Sequence, residues 1–427
     1  MKNSKTLRIV QTGDWHLDVS PSTAPRHEDH AFFINWLLNH LTEQKINVLI
    51  HTGYIFDRHN ASSKSLRMIG TFLSQASQIP SLKKIIIISG NNDSNRFLEA
   101  LYPLLHLSTD ISFHLVAQSN NRDGWQEDFI FPYRDDKGDI LAIFTALPYT
   151  PRVKVTHERN SKQRNNILQT QIFDHYHSLY LYSKEKMLPK NAKVPFVAIG
   201  HLSCSEMSTK NRKDLEDITP RTIYSGEILP PSIFPKEYDH VALGHLYDCR
   251  SMDQERIWYS GTPVTICKQD RQTRHIIQVE FSLSKKTFSK NAQPIPVPEF
   301  RKTRFYAGPA DIIFKNLQKD FKEDQERRVE KKEHTSLNPT SPPDQYLYIE
   351  LQDNISNADF IKKMTDLYPN VRIVRLIRKK EEIEFQENET YITDLSALNV
   401  FTEIYRHETG KDPAEDVLEL FLEIKDS

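Results

Sequence analysis

An aspartate and a histidine stand two residues apart, directly after a short apolar run near the start of the chain. The run is Leu7 to Val10, and the pair is Asp14 and His16 in the sequence Gly-Asp-Trp-His. A carboxylate and an imidazole at the exit of one strand can aim at a single point, as the ligands of a metal ion do. The pair alone is a weak signal, because Asp-x-His occurs by chance in many proteins.

Four later stretches repeat this layout of an apolar run, then glycine, then polar side chains that can bind metal. Short continuous apolar runs are typical of strands that are buried on both faces of a sheet. Proteins of the α/β class place their sites just beyond the carboxyl ends of such strands. The sequence therefore predicts one shared site; the alternative is that these are ordinary polar residues at strand ends. The candidate residues are Asp14, His16, Tyr54, Asp57, Asn91, Asn92, Asp93, His201, His245 and Tyr247.

Length and composition limit the class of protein. With 427 residues, 38% of them hydrophobic and 26% charged, the chain predicts two or three globular domains. No apolar run approaches the ~20 residues that span a bilayer, and the N-terminus lacks the apolar core of a signal peptide. Three cysteines without disulfide or zinc spacing favour a reducing cytoplasm. The net charge of -1 neither supports nor excludes DNA binding.

The order of apolar patterns predicts the elements that position these residues. Helical spacing at 28–45, 62–78 and 95–105 alternates with the first strands, which indicates an α/β fold with a largely parallel core. Shorter apolar pieces from about 113 to 150 suggest a second, more antiparallel sheet packed on the first. A long helix is expected from about 167 to 187. We expect this domain to end at residue 281.

The remainder predicts a smaller domain and a helical tail. Residues 282–301 and 320–343 are charged or proline-rich, which is typical of exposed linkers. Two helices are expected in the tail, at 395–406 and from 412 onward, and the second has apolar residues over much of its circumference. It packs either on its own chain or on a partner. Between linker and tail lies a predicted βαβ unit of strand Tyr346–Leu351, helix Asn357–Leu367 capped by Ser356, and strand Val371–Leu376.

Taken in order, these motifs resemble the calcineurin-like metallophosphoesterase pattern, and in detail the SbcD-type nuclease subunit of bacterial double-strand-break repair. Ala146-Leu-Pro-Tyr and Tyr259-Ser-Gly-Thr-Pro also resemble that family. The resemblance implies an α/β metallophosphoesterase sandwich over residues 1–281. A linker and βαβ cap domain would follow over 282–385, and a C-terminal helix pair that binds an ATPase over 386–427.

The resemblance also implies a pair of manganese ions that clamp a phosphodiester and generate a hydroxide nucleophile. Matched by motif, Asp14 and His16 would bind the first ion. Asn91, His201 and His245 would bind the second.

Three positions depart from the family pattern. Tyr54 stands where the family has an aspartate bridging both ions, and Tyr247 stands where it has a ligand histidine. Asn92 occupies the position of the histidine that protonates the leaving group, and an amide cannot transfer that proton. A phenol of pKa ~10 is neutral at pH 7 unless a metal deprotonates it. The pattern therefore predicts a degenerate site that holds manganese weakly or not at all.

These observations predict a catalytically impaired SbcD-like subunit. It would bind double-stranded DNA ends as a cytoplasmic homodimer, without contacting a membrane, and would work beside a separate effector nuclease, for example in phage defence. The alternative is an active manganese-dependent exonuclease or endonuclease with a rearranged two-metal site, in which Asp18, Asp57 or Asp93 substitute as ligands. A small-molecule phosphodiesterase is disfavoured by the cap and the tail. The residues expected to dock on an SbcC-type coiled-coil ATPase are Phe401, Leu418 and Phe421.

Overall fold

The protein is described from a computed structural model, whose chain divides into two units, residues 1–378 and 379–427. The described residues are 5–19, 26–57, 61–91, 93–95, 98–99, 111–117, 124–149, 161–206, 228–266, 273–284, 287–331, 345–352, 355–368, 371–378, 413 and 417. Asn92, most of the predicted helix at 95–105, most of the predicted tail helices, and the predicted docking residues Phe401, Leu418 and Phe421 lie outside these ranges. Within these ranges, no helix combines the length and the apolar character needed to cross a membrane.

The regular elements run from residue 5 to residue 378. The helices are α1 (His27–Glu43), α2 (Ser63–Ala76), α3 (Ser161–Tyr182), α4 (Ala310–Lys331) and α5 (Asn357–Leu367). The strands are β1 (Lys5–Thr12), β2 (Val48–His51), β3 (Lys84–Ile88), β4 (Ser112–Val116), β5 (Ile130–Arg134), β6 (Ile140–Ala146), β7 (Phe196–His201), β8 (His240–Gly244), β9 (Arg250–Met252), β10 (Ile257–Tyr259), β11 (His275–Leu283), β12 (Phe288–Pro296), β13 (Lys302–Gly308), β14 (Gln345–Leu351) and β15 (Val371–Arg378).

The first sheet has the strand order β12-β11-β1-β2-β3-β4. Strands β1 to β4 are mutually parallel, and β11 and β12 extend the sheet antiparallel. Helices α1 and α2 cover one face, where Phe33, Leu37 and Phe72 are buried against strand residues such as Val10 and Leu49. The predicted parallel α/β core is confirmed, and the first two helices lie within two residues of their predicted bounds.

The second sheet has the order β5-β6-β7-β8-β10-β9 and packs against the first. Its central strands β6, β7, β8 and β10 are parallel, and only the outer strands β5 and β9 are antiparallel. One apolar core joins Ile50 and Ile86 of the first sheet to Val197 and Leu243 of the second. The expected antiparallel sheet is therefore a mixed one, and its predicted first piece, β4, instead pairs with β3 in the first sheet.

The segment 282–301, which was predicted as a linker, contains the edge strand β12. Strand β12 pairs with β11 over nine residues, from Leu283 opposite Phe288 to His275 opposite Pro296. Its side chains alternate between half-buried and exposed, and its prolines are tolerated because it lies at a sheet edge. The first sheet thus continues past residue 281. The domain boundaries at residues 281 and 385 remain predictions. We call β1–β12 with α1–α3 the two-sheet part.

The cap, β13–β15 with α4 and α5, is a parallel sheet in the order β13-β14-β15. The predicted βαβ unit is confirmed, and the Ser356 hydroxyl caps α5 by accepting the N–H of Asp359 at 3.0 Å. The prediction of a loop at 320–334 was wrong as far as Lys331, because α4 extends to that residue. Ile313, Leu317 and Phe321 form its buried apolar stripe, which the surrounding charges hide in the sequence.

Candidate functional site

The carboxyl ends of five strands meet where the two sheets pack together, as the repeated motifs predict. Ring centroids there lie 4.7 Å apart for His16 and Tyr54, 4.4 Å for Tyr54 and His201, and 5.0 Å for His201 and His245. The Tyr247 ring packs edge-on against His16 at 5.2 Å. We call this group the strand-end site. Its members are Asp14, His16, Tyr54, Asn91, His201, His245 and Tyr247.

Four members of the strand-end site have left-handed backbone. The φ angles are 52° for Asp14, 49° for His16, 55° for Tyr54 and 96° for His245. Non-glycine residues adopt this region rarely, at a cost of order 1–3 kcal/mol each, and they concentrate at functional sites. The Asp14 N–H donates to the Gly53 carbonyl at 2.8 Å, and the His16 N–H to the Tyr54 carbonyl at 3.0 Å. These bonds hold the first two loops in the strained conformation that turns the side chains inward.

Two motif glycines make room for His201. A Cβ on Gly53, whose φ is +99°, would stand 2.5 Å from His201 Nδ1. A Cβ on Gly90 would stand 2.8 Å from His201 Nε2. The Nδ1 atom contacts the Thr52 carbonyl at 2.7 Å, which fixes the ring orientation. Thr52 was not among the predicted site residues, although its place directly before a motif glycine could have indicated it.

Asp93 joins the loops that follow β2 and β3. Its carboxylate accepts the backbone N–H groups of Tyr54 at 2.7 Å, Ile55 at 3.1 Å and Gly90 at 2.8 Å. Burial raises the pKa of this carboxyl, although the hydrogen bonds from the backbone N–H groups of Gly90 and Tyr54 act to lower it. The Asp93 side chain is therefore occupied in supporting the loop that carries Tyr54.

The two other candidate substitute carboxylates also have structural partners. Asp18 accepts the Ser62 N–H at 2.7 Å and the Ser65 hydroxyl at 2.6 Å, at the start of α2. Asp57 lies 3.1 Å from His16 Nδ1. A carboxylate on one ring nitrogen fixes the orientation of a histidine, as is common behind metal ligands. Asp57 thus orients the imidazole of His16.

The Tyr54 hydroxyl bonds to two of the three residues predicted to hold a second ion. It donates to Asn91 Oδ1 and lies 3.2 Å from His245 Nδ1. Burial raises the pKa of this phenol further above its usual value, with added contributions from Tyr247 and Asp14. Tyr54 is therefore a neutral hydroxyl that bridges a neutral amide and an imidazole.

The histidines of the second half of the site are neutral as well. Burial lowers the pKa of His245 to about 3 and holds that of His201 well below its usual range. Beside them, Tyr54 and Tyr247 form a buried apolar cluster with Val19 and Ile266. Nothing in the sequence pointed to Val19 or Ile266, because neither lies in a motif.

A pair of manganese ions needs hard, preferably anionic oxygen ligands shared between the two ions. The single carboxylate among the predicted ligands, Asp14, accepts the backbone N–H of His245 with both oxygens, at 3.0 and 3.2 Å. His16 Nε2 and His201 Nε2 are buried and have no hydrogen-bond partner among the described residues, but the ring of Tyr54 contacts both imidazoles. In the part of the chain described, no three His, Cys, Asp or Glu side chains are grouped to hold a metal. The residues present do not fit the two-manganese centre that the resemblance implies.

Comparison with known proteins supports the motif analysis. Residues 7–246 match the calcineurin-like phosphoesterase family, whose members are metal-dependent. Residues 315–409 match the SbcD C-terminal family, described as the type 5 capsule protein repressor C-terminal domain.

Curated relatives are named as the SbcD component of the nuclease SbcCD. The protein of Escherichia coli K12 is 25% identical over 406 residues, which cover 92% of each chain. That of Rhodobacter capsulatus is 26% identical over 262 residues, 60% of this chain and 62% of its own. A solved dimetal phosphatase from Danio rerio aligns over 68% of this chain and 99% of its own, with 10% identity and a TM-score of 0.37. The chain has two packed six-stranded sheets and matches both family models. It therefore belongs to the calcineurin-like phosphoesterase family and is of the SbcD type.

Proposed function

We propose that this chain is a catalytically impaired SbcD-like subunit, which holds double-stranded DNA ends as a homodimer in a complex with an SbcC-type ATPase. The observation that carries the proposal is the Tyr54 hydroxyl, which bonds to Asn91 and lies in contact with His245. The resemblance places an aspartate bridging two ions at this position. A buried neutral phenol cannot replace that anionic bridge, so the ligand side chains are held together by a hydrogen bond in place of a cation.

The partner part of the proposal is supported by the relatives. The Escherichia coli protein is named as one component of the nuclease SbcCD, and its alignment covers 92% of this chain. A chain that keeps the fold but loses the bridging carboxylate retains the means to bind DNA and ATPase without cutting. DNA cleavage would then fall to another component.

Manganese binding and cleavage together test the catalytic part. We expect electron paramagnetic resonance titration of the purified chain to show at most one weakly held Mn²⁺, and linear duplex DNA to stay intact. A matched variant combines Tyr54→Asp, Asn92→His and Tyr247→His, which restores the three family residues. It should bind two ions, because the bridge and the missing ligand are present again. Two tightly held ions in the wild type, with cleavage lost in His245→Ala, would overturn the proposal.

DNA-end binding separates a scaffold from a nuclease. We expect the duplex affinity of the chain with its ATPase to be the same in EDTA and in Mn²⁺, and unchanged by Asp14→Ala. A metal-dependent DNA complex would contradict a scaffold role, because binding would then pass through the site.

The tail provides the test for the ATPase interaction. Phe421→Asp should abolish co-purification with an SbcC-type ATPase, since a charge on the helix predicted from 412 onward would be poorly tolerated at an apolar interface. Leu181→Asp is the control, because Leu181 is an exposed apolar residue on α3. Co-purification of the Phe421→Asp chain at the wild-type level would show that the tail is not the docking element.

A further inference from the structure

A cleft lies along two edge strands that the packing of the two sheets places side by side. β4 is the outermost strand of the first sheet, and β5 is the outermost strand of the second. The ring of His114 in β4 lies 4.4 Å from the ring of Phe131 in β5, which joins the two edges. The cleft has a volume of about 460 Å³ and is lined by residues 114–117, residues 127–131 and Glu99. This volume is in the range of clefts that hold ligands.

The backbone of β4 has one edge bonded to β3 and one edge that faces away from it. In a parallel pair, alternate residues of a strand turn their N–H and C=O groups toward the same neighbour. The carbonyl of Val116 accepts the N–H of Ser89 at 3.0 Å, so Val116 turns toward β3. The N–H and C=O groups of Phe113 and Leu115 therefore point outward. Within the described part of the chain, no strand pairs with this outer edge.

β4 lacks the residues that commonly protect an edge strand from pairing. An open edge is a template for a further strand, and proline or lysine at the edge prevents such pairing. The edge strand β12 carries Pro294 and Pro296, and β5 carries Pro132. β4 has the sequence Ser-Phe-His-Leu-Val and contains neither proline nor lysine. Its edge is therefore suited to bind an extended peptide through main-chain hydrogen bonds.

The charge of the cleft indicates the chemistry of its occupant. Its lining includes the carboxylates of Glu99, Glu127 and Asp128, and it includes no lysine or arginine. Glu127 is exposed and accepts the Tyr182 hydroxyl. Lys84 lies 2.8 Å from His114 Nε2 but is buried and does not line the cleft. Carboxylates repel the phosphates of nucleic acid and attract basic side chains, so a basic peptide is favoured over DNA.

We propose that the outer edge of β4 binds an extended, lysine- or arginine-containing segment of a partner protein as an additional strand. The main-chain groups of Phe113 and Leu115 pair with the segment. The carboxylates of Glu99, Glu127 and Asp128 receive its basic side chains. No residue that lines the cleft belongs to the strand-end site, so the inference does not depend on whether DNA is cleaved.

Peptide binding to the full chain tests the chemistry of the occupant. The probe is a fluorescent peptide of alternating lysine and valine, as long as β4, and fluorescence anisotropy measures its dissociation constant. The same peptide with alternate amides N-methylated keeps its charge but cannot pair as a strand. It should bind at least about tenfold more weakly. Equal affinities for the two peptides would overturn the proposal, because charge alone would then explain the binding.

Variants of the cleft test where the peptide binds. The double change Glu127→Gln and Asp128→Asn should weaken binding of the lysine peptide by about tenfold, because two attractive charges are lost. Glu185→Gln is the control, since Glu185 is an exposed carboxylate outside the cleft. An unchanged affinity in the double variant would contradict the cleft as the binding site.

Amide hydrogen exchange tests the position of the added strand. In the free chain, the outward N–H groups of Phe113 and Leu115 should exchange fast, and that of His114, which faces β3, should exchange slowly. Saturation with the lysine peptide should slow Phe113 and Leu115 by at least about tenfold. Slow exchange of both in the free chain would mean that another part of this chain covers the edge. Protection by linear duplex DNA in place of the peptide would assign the cleft to nucleic acid, and either result overturns the proposal.

Discussion

Two clusters of buried polar side chains within residues 1–378 differ in charge. One consists of neutral groups, and the other is held together by ion pairs. In the strand-end site, Tyr54, His201 and His245 are neutral and contact one another or an amide. At the junction between α1 and the cap, Arg301 pairs with Glu28 and Asp29 and donates to the Tyr346 hydroxyl at 2.7 Å. We call Arg26, Glu28, Asp29, Arg301 and Tyr346 the cap junction.

The difference lies in the charge of the groups that hold each cluster together. In the strand-end site a neutral hydroxyl supplies part of the hydrogen bonding, because Tyr54 bonds to Asn91 and His245. Among the described residues, His16 Nε2 and His201 Nε2 have no hydrogen-bond partner. The cap junction keeps full charges because its buried carboxylate, Asp29, has guanidinium groups nearby. The two clusters should therefore respond differently to charge removal, to acid and to the loss of one hydroxyl.

The largest effect is expected at the cap junction. Arg301→Met removes the partner of two carboxylates and of the Tyr346 hydroxyl, and leaves Asp29 buried with Arg26 at 3.7 Å. Removing one partner of a buried ion pair lowers the free energy of unfolding by about 3 kcal/mol. Urea denaturation measures this change. Arg304→Met is the control, since Arg304 bonds Asp320 at a half-exposed position and should cost under about 1 kcal/mol. Equal losses in both variants would show that the junction is not an ionic cluster.

Acid should affect the buried histidines more than the cap junction. Burial lowers the pKa of His240 to about 3, as it does for His245, whereas an unfolded histidine titrates near 6.5. Between these values the unfolded state binds more protons, so stability is complete above pH 6.5 and falls as the pH is lowered toward 3. Burial instead raises the pKa of Asp29, so protonation there does not add to the acid loss.

A single substitution at His240 isolates the contribution of one buried histidine to the pH dependence of stability. His240→Gln should reduce the slope of unfolding free energy against pH by about 1.4 kcal/mol per unit between pH 6 and 4. His240 lies outside the strand-end site and contacts Gln11 at 3.2 Å, so metal binding does not complicate the measurement. His175→Gln, at an exposed position on α3, serves as the control. An unchanged slope in His240→Gln would mean that His240 is protonated in the folded state.

The contrast between the clusters also explains what the sequence could predict. The strand-end site was predictable because each of its residues follows an apolar run and a glycine, a pattern contained in five or six neighbouring residues. The cap junction was not, because Arg301 and Glu28 are separated by 273 positions and neither lies in a motif. Strand β12 and helix α4 were missed for a related reason. Their burial comes from pairing with distant elements, and prolines or charges dominate their local sequence.

The smallest effect concerns one hydroxyl, and it decides whether Tyr54 is a hydrogen-bond partner or a metal ligand. Tyr54→Phe keeps the ring but leaves Asn91 Oδ1 and His245 Nδ1 without their bonds to the Tyr54 hydroxyl. The free energy of unfolding should fall by about 1–2 kcal/mol, because buried polar groups then lack a partner. Tyr176→Phe, which removes one bond to the Ile199 carbonyl at 2.8 Å, should cost about 1 kcal/mol. Manganese affinity should not change in Tyr54→Phe. A tenfold loss of affinity would instead identify the phenol as a ligand, and the strand-end site would then be a rebuilt metal centre.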